Sequence, residues 1–157
     1  MQKRYFRNLK HETVDIIDFC KKNIRDGTTV YVGTDSVVQK DRSLFVTVVA
    51  IRFGSIKDRT AKGVTFSYLK TYAEKYKDKL YRLREEAKFT MEMVSFLEEN
   101  FVKVDVVEFD YNSNEKYLSN KVLSEGKGWA EGMGYKVTVK PDEQVAVKAA
   151  DYICRPR

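Results

Sequence analysis

The chain has 157 residues, 43% hydrophobic and 13% aromatic, with 29 basic and 23 acidic side chains, a net charge of +6 and a pI near 9.2. That length suits one domain over residues 1–157, no run approaches the roughly 18 consecutive apolar residues of a membrane helix, and Cys20 and Cys154 form no CxxC pair. A membrane partner, a disulfide framework and a thiolate zinc centre are therefore not expected, and both cysteines read as reduced thiols. The basic start, MQKRYFRNLK, lacks the apolar segment of a secretory signal, so a cytoplasmic location is expected. The positive excess fits an anionic partner such as nucleic acid, and fits a solubility device equally well.

Residues 11–25 carry Val14, Ile17, Cys20 and Ile24 at helical spacing, which predicts an amphipathic helix ending before Asp26-Gly27. Residues 28–38 and 43–53 are β-branched runs joined by a polar turn, an antiparallel hairpin, and VTFSYL predicts a third strand. From about residue 71 to 100 the period becomes helical, with Leu80, Leu83, Ala87, Met91, Val94 and Leu97 on one face. FVKVDVVEF at 101–109 reads as a strand, and Asn112-Ser113-Asn114-Glu115 resembles a capping box opening a helix that ends by Gly134. Residues 135–139 read as a short strand and 143–153 as a last helix, with Asp142 as its candidate N-cap. The order predicts a mixed sheet covered by helices: a three-strand antiparallel meander followed by two parallel strands.

Asp35 and Asp110 each end an apolar run, VYVGTD and VVEFD, at the carboxyl end of strands that a helical crossover makes parallel. Two aspartates so placed repel unless a cation lies between them. Asp105 is offset by an odd number and faces the other side, and Glu108 shares the parity of Asp110 but precedes the strand end. On the long helix Glu86 lies about 80° from the centre of the apolar stripe, close enough to reach over the sheet edge. Asp151 follows two alanines on the last helix, where small side chains permit close packing on the sheet. Each acid alone also fits an ordinary turn, cap or surface charge. With a single histidine, His11, read as a surface residue, an all-carboxylate set suits Mg²⁺ or Mn²⁺.

The stretches GTDS at 33–36, REEAKFTMEMV at 84–94, EFDYN at 108–112, GMGYKVTVKPD at 132–142 and AAD at 149–151 together resemble the YkuK-type family of predicted RNase H-like proteins. The resemblance covers about residues 28–153 and implies an RNase H-like α/β fold with a mixed five-stranded sheet, preceded by a basic arm and an N-terminal helix over 1–27. It implies a metal-dependent nuclease whose acidic set is Asp35, Glu86, Asp110 and Asp151. In that set two ions are expected: Asp35 bridges them, Asp110 and Asp151 complete one site, and Glu86 completes the other. Ser36, Asn112, Lys140 and Pro141 also match the pattern, without a defined role.

A substrate of RNA or DNA needs cations around this acidic pocket. Lys75, Lys77, Lys79, Arg82, Arg84 and Lys88, or the arm with Lys3, Arg4, Arg7 and Lys10, are candidates to grip phosphates, though interspersed acids make the long helix equally an ordinary solvated face. Tyr68, Tyr72, Tyr76 and Tyr81 are candidates to stack bases, with packing as the commoner role of such spacing, and Trp129 reads as core. The competing reading is a nucleic-acid-binding or partner-binding protein that keeps the fold without turnover. A phosphotransferase acting on small substrates is disfavoured, because no Gly-rich phosphate loop with a lysine follows a strand.

Overall fold

The computed structural model describes residues 5–54, 63–75, 78–112, 120–140 and 143–155. The capping box at 112–115 beyond its first residue, Lys3, Arg4, Tyr76, Lys77, Pro141 and Asp142 lie outside the described residues.

Three eleven-residue strands form the meander: β3 (Thr28–Val38), β4 (Ser43–Phe53) and β5 (Gly63–Ala73), preceded by β1 (Tyr5–Arg7), β2 (Thr13–Asp15) and the helix α1 (Ile16–Asn23). They are followed by α2 (Lys79–Glu99), β6 (Val106–Asn112), α3 (Asn120–Gly132), β7 (Lys136–Lys140) and α4 (Ala146–Cys154). The sheet has the order β2-β1-β5-β4-β3-β6-β7, with β3–β6 and β6–β7 parallel and every other pairing antiparallel. The expected meander and two parallel strands form five consecutive positions of it, from β5 to the edge strand β7. Among the described residues the sheet nevertheless has seven strands rather than five, because β1 and β2 add a hairpin of three-residue strands beside β5. YFR and TVD are too short to show alternation in the sequence.

That hairpin also shortens the first helix. Thr13–Asp15 pair with Tyr5–Arg7, and the Asp15 carboxylate then caps α1 by accepting from the N–H groups of Ile17 at 2.9 Å and Asp18 at 3.3 Å. The long helix begins at Lys79, not at 71, since residues 71–73 continue β5 opposite Ser43–Phe45 and Asp78 supplies the cap. Residues 101–105 precede β6 rather than belonging to it. Phe101 turns the chain at φ +64, Val102 and Val104 are buried, and the Asp105 carboxylate accepts from the Val30 N–H at 2.8 Å.

Two apolar layers flank the sheet. Val30, Val32, Val49, Val107 and Phe109 meet α1, α2 and α3 on one face; Leu44, Val46, Val48 and Ala50 meet α4 on the other. Trp129, expected in the core, is 47% exposed on α3, because Ala130 takes the buried position of that turn. Cys20 and Cys154 are buried free thiols, and burial pushes Cys20 up to about 12. Among the described residues no helix is long and apolar enough to cross a membrane.

Candidate metal centre

The parallel register sets the site. Gly33 pairs with Glu108, so two residues further along each strand Asp35 stands opposite Asp110, just past the last β3–β6 pairing. Between Glu108 and Asn112 the register of β6 against β7 slips: four residues of β6 advance against two of β7, Thr138 to Lys140. The irregularity falls at Asp110, and such a bulge is a common device for re-aiming a side chain beside a site.

Glu86 arrives from the opposite face. On α2, Glu86 and Thr90 are one turn apart and lean on Ser36 and Thr34, which are one β-period apart on β3. Ser36 Oγ donates to Glu86 Oε2 at 2.5 Å, and Thr90 Oγ1 donates to Thr34 Oγ1 at 2.8 Å, with Thr47 Oγ1 3.1 Å from Thr34 Oγ1. These two rungs fix the height of α2 against the strand. One carboxylate oxygen from each of Asp35, Glu86 and Asp110 lies within 4.8 Å of the others. Asp35 and Glu86 are 4% and 5% exposed, and Asp110 is half-buried.

Burial, then the neighbouring Asp110, pushes Asp35 up to about 7, against the Ser36 N–H that donates to Oδ1 at 2.8 Å and the guanidinium of Arg155. Burial and then the charge of Asp35 hold Glu86 well above the usual carboxylate range. Two buried acids pressed against a half-buried third can hold a cation. Glu86 Oε1 supports that fit, being buried without a hydrogen-bond partner, and an all-oxygen donor set suits a hard divalent ion.

Asp151 sits on the wall of the same cavity, of about 370 Å³, which Asp35, Asp110, Gln144, Val147, Lys148 and Arg155 complete. Its carboxylate lies outside the tight trio and pairs with Arg155 on the same helix. Ser36 is buried and orients Glu86; of Asn112 and Lys140 the backbone alone is described, paired with each other across β6 and β7.

The basic run of α2 divides. Arg82 Nη1 approaches Ser36 Oγ at 3.4 Å at the edge of the acid cluster, whereas Arg84 pairs with Glu125 of α3 at 3.5 Å. Lys88 is exposed, Lys79 opens the helix, and Lys75 donates to the Lys40 carbonyl at 3.1 Å. Tyr68 is buried, with its hydroxyl 3.2 Å from Nδ1 of the exposed His11, and Tyr72 lies under the Arg42 guanidinium.

Two residues escape sequence reasoning. Arg155 reaches Asp35 across 120 positions, a distance no spacing rule spans. Glu108 shows a partial signal, its parity with Asp110. It is wholly buried and accepts from the N–H groups of Val145 at 2.7 Å and Val147 at 2.9 Å, so a strand carboxylate caps α4 in place of a local N-cap. Burial nonetheless raises Glu108 to about 7. Gly33 makes the close contact possible: a Cβ there would stand 2.8 Å from Val147 Cγ2 and 3.3 Å from both Ala146 Cβ and Glu108 Cβ.

No curated protein and no solved structure gives a significant match to the chain. Residues 12–155, which include every element from β2 to α4 and all four acids, match the family model described as Ribonuclease H-like, and the chain belongs to that family.

Proposed function

We propose that the protein is a metal-dependent nuclease of the YkuK type that hydrolyses phosphodiester bonds of RNA or DNA. The observation that carries this reading is the convergence of the Asp35, Glu86 and Asp110 carboxylates, drawn from two strands and a helix to within 4.8 Å in a family of RNase H-like proteins.

Asp35, Glu86 and Asp110 would hold the metal, with Asp151 as the fourth acid of a two-ion set. Bound Mg²⁺ or Mn²⁺ would supply an activated water and offset charge on the leaving oxygen of an in-line displacement. The chain's own residues do the rest. Ser36 fixes the Glu86 carboxylate through its hydroxyl and presents its N–H to Asp35, so two of the acids are oriented before any ligand arrives. Arg82 from α2 and Arg155 from the end of α4 bring guanidinium groups to the acid cluster, where non-bridging phosphate oxygens of a nucleic acid would need compensation. Lys148 on the cavity wall adds a further cation at the mouth.

The test offers single strands, duplexes and RNA–DNA hybrids to the purified protein with Mg²⁺, Mn²⁺ or a chelator, beside Asp35→Asn and Asp110→Asn. Cleavage that needs the ion and disappears in both variants is expected. Cleavage surviving both substitutions would overturn the site, and binding without cleavage in any metal would favour a non-catalytic nucleic-acid-binding role.

A further inference from the structure

Arg155 closes α4 at its C-cap position, and its guanidinium makes three contacts across the cavity. Nη1 donates to Asp35 Oδ2 at 2.9 Å and to Asp151 Oδ1 at 2.5 Å, and Nη2 donates to the Ser36 carbonyl at 3.2 Å. The pair with Asp151 alone is an i,i+4 contact of the kind that contributes little at a surface. Asp35 makes the difference, since its side chain is 6% exposed and a buried carboxylate requires fixed donors or a cation.

We propose that Arg155 is a built-in cation for the Asp35–Asp151 side of the cavity. With Arg155 in place the protein takes one divalent ion, among Asp35, Glu86 and Asp110; a second ion enters between Asp35 and Asp151 only when the guanidinium withdraws. This inference rests on the metal-dependent reading above. Asp35 Oδ2 and Asp151 Oδ1 both receive the same nitrogen, so an ion bridging them would displace it, and an ion beside it would meet like charge. Glu86, by contrast, takes its hydrogen bond from the neutral Ser36 hydroxyl, and the Arg82 guanidinium stands 3.4 Å from that hydroxyl rather than on the carboxylate.

The Arg155 side chain is 45% exposed, so its head has room to move to the cavity mouth. The ligand chemistry that would draw it there is a phosphodiester, whose two non-bridging oxygens match paired guanidinium N–H groups. Arrival of the substrate would then uncover the second ion's ligands, coupling complete metal loading to a bound phosphate.

The experiment is a Mn²⁺ titration of the chelator-treated full chain without nucleic acid, read by the electron paramagnetic resonance of free Mn²⁺ and by calorimetry. One ion per chain is expected for the wild type and two for Arg155→Ala, the second at least about tenfold tighter than any second ion in the wild type. Arg155→Lys keeps the charge and should keep one ion, and the double variant Arg155→Ala/Asp151→Asn should return to one. If Arg155→Ala does not fold, Arg155→Met retains the apolar stem and carries the same expectation. Two ions of similar affinity in the wild type, or one in both wild type and Arg155→Ala, would overturn the role of Arg155 and leave the metal reading standing. No ion in any variant would overturn both.

Discussion

Glu108 meets the N-terminal end of α4, Asp35 is met by Arg155 at its C-terminal end, and both are buried carboxylates. Their surroundings differ in one respect: what faces the charge. Glu108 meets the N–H groups of Val145 and Val147, fixed donors at the positive end of a helix, and so ties β6 to α4. The trio's acids meet one another, while Ser36 donates to Asp35 and Glu86 and Arg155 donates to Asp35. A buried carboxylate with its own donors is an anchor. Carboxylates that share a pocket repel one another, and a proton or a cation relieves that repulsion.

The comparison can be broken most sharply by activity. Asp35→Asn removes a shared ligand and is expected to lower metal-dependent cleavage by more than the about 10- to 100-fold that outer-shell substitutions cost. A smaller loss, measured as initial rate in Mg²⁺, would demote Asp35 to the supporting role that Glu108 plays.

Next in size is packing at the anchor. Gly33→Ala places a methyl 2.8 Å from Val147 Cγ2 and should destabilise the fold by about 1–3 kcal/mol in urea denaturation. Val147→Ala added to it should recover part of that loss, and a neutral Gly33→Ala would show that α4 has slack over the strand.

Opposite signs of effect separate the two kinds of acid. Glu108→Gln exchanges one acceptor oxygen for an amide that cannot accept, leaving a buried N–H of α4 poorly paired, and should cost about 1–3 kcal/mol. Glu86→Gln should instead raise the melting temperature of the metal-free protein at pH 8, since it removes one of the crowded charges and its amide can donate to the neighbouring aspartates. Equal destabilisation by both would erase the distinction.

The smallest effect is on pH dependence. Asp35 and Glu108 have folded-state values near 7, raised from 3.8 and 4.5, so the folded chain holds protons that the unfolded chain has released. Their contribution is fully present below about pH 4 and is lost as the pH rises towards 7, so the metal-free melting temperature should fall across that window. Mn²⁺ needs the ionised trio and should raise the melting temperature more at pH 8 than at pH 5.5, by about 2–4 °C for each kcal/mol of binding. An equal metal effect at both values would mean that the ion binds elsewhere.

Local pattern carries a great deal here. Alternation and β-branching set β3 and β4 to the residue, the stripe through Leu83, Ala87, Met91, Val94 and Leu97 turns α2 towards the sheet, and apolar runs that end in aspartate mark Asp35 and Asp110. Glu86 stands at the edge of that stripe on a helical wheel, yet is buried, because Ser36 and Thr34 offer it and Thr90 a polar seam within the core. Where helical period competes with pairing, pairing prevails: residues 13–15, next to α1, and residues 71–73, at the end of β5, complete strand ladders.

By itself the sequence determined the period of each main element, and hence which side chains share a face. The tertiary structure alone decided what each of those faces meets: that Glu108 anchors α4, that the register of β6 against β7 slips between Glu108 and Asn112, and that Arg155 crosses to Asp35. The reason is range. Backbone period is written in the nearest few residues, whereas the donors and charges that give a buried acid its role come from elements up to 120 positions away.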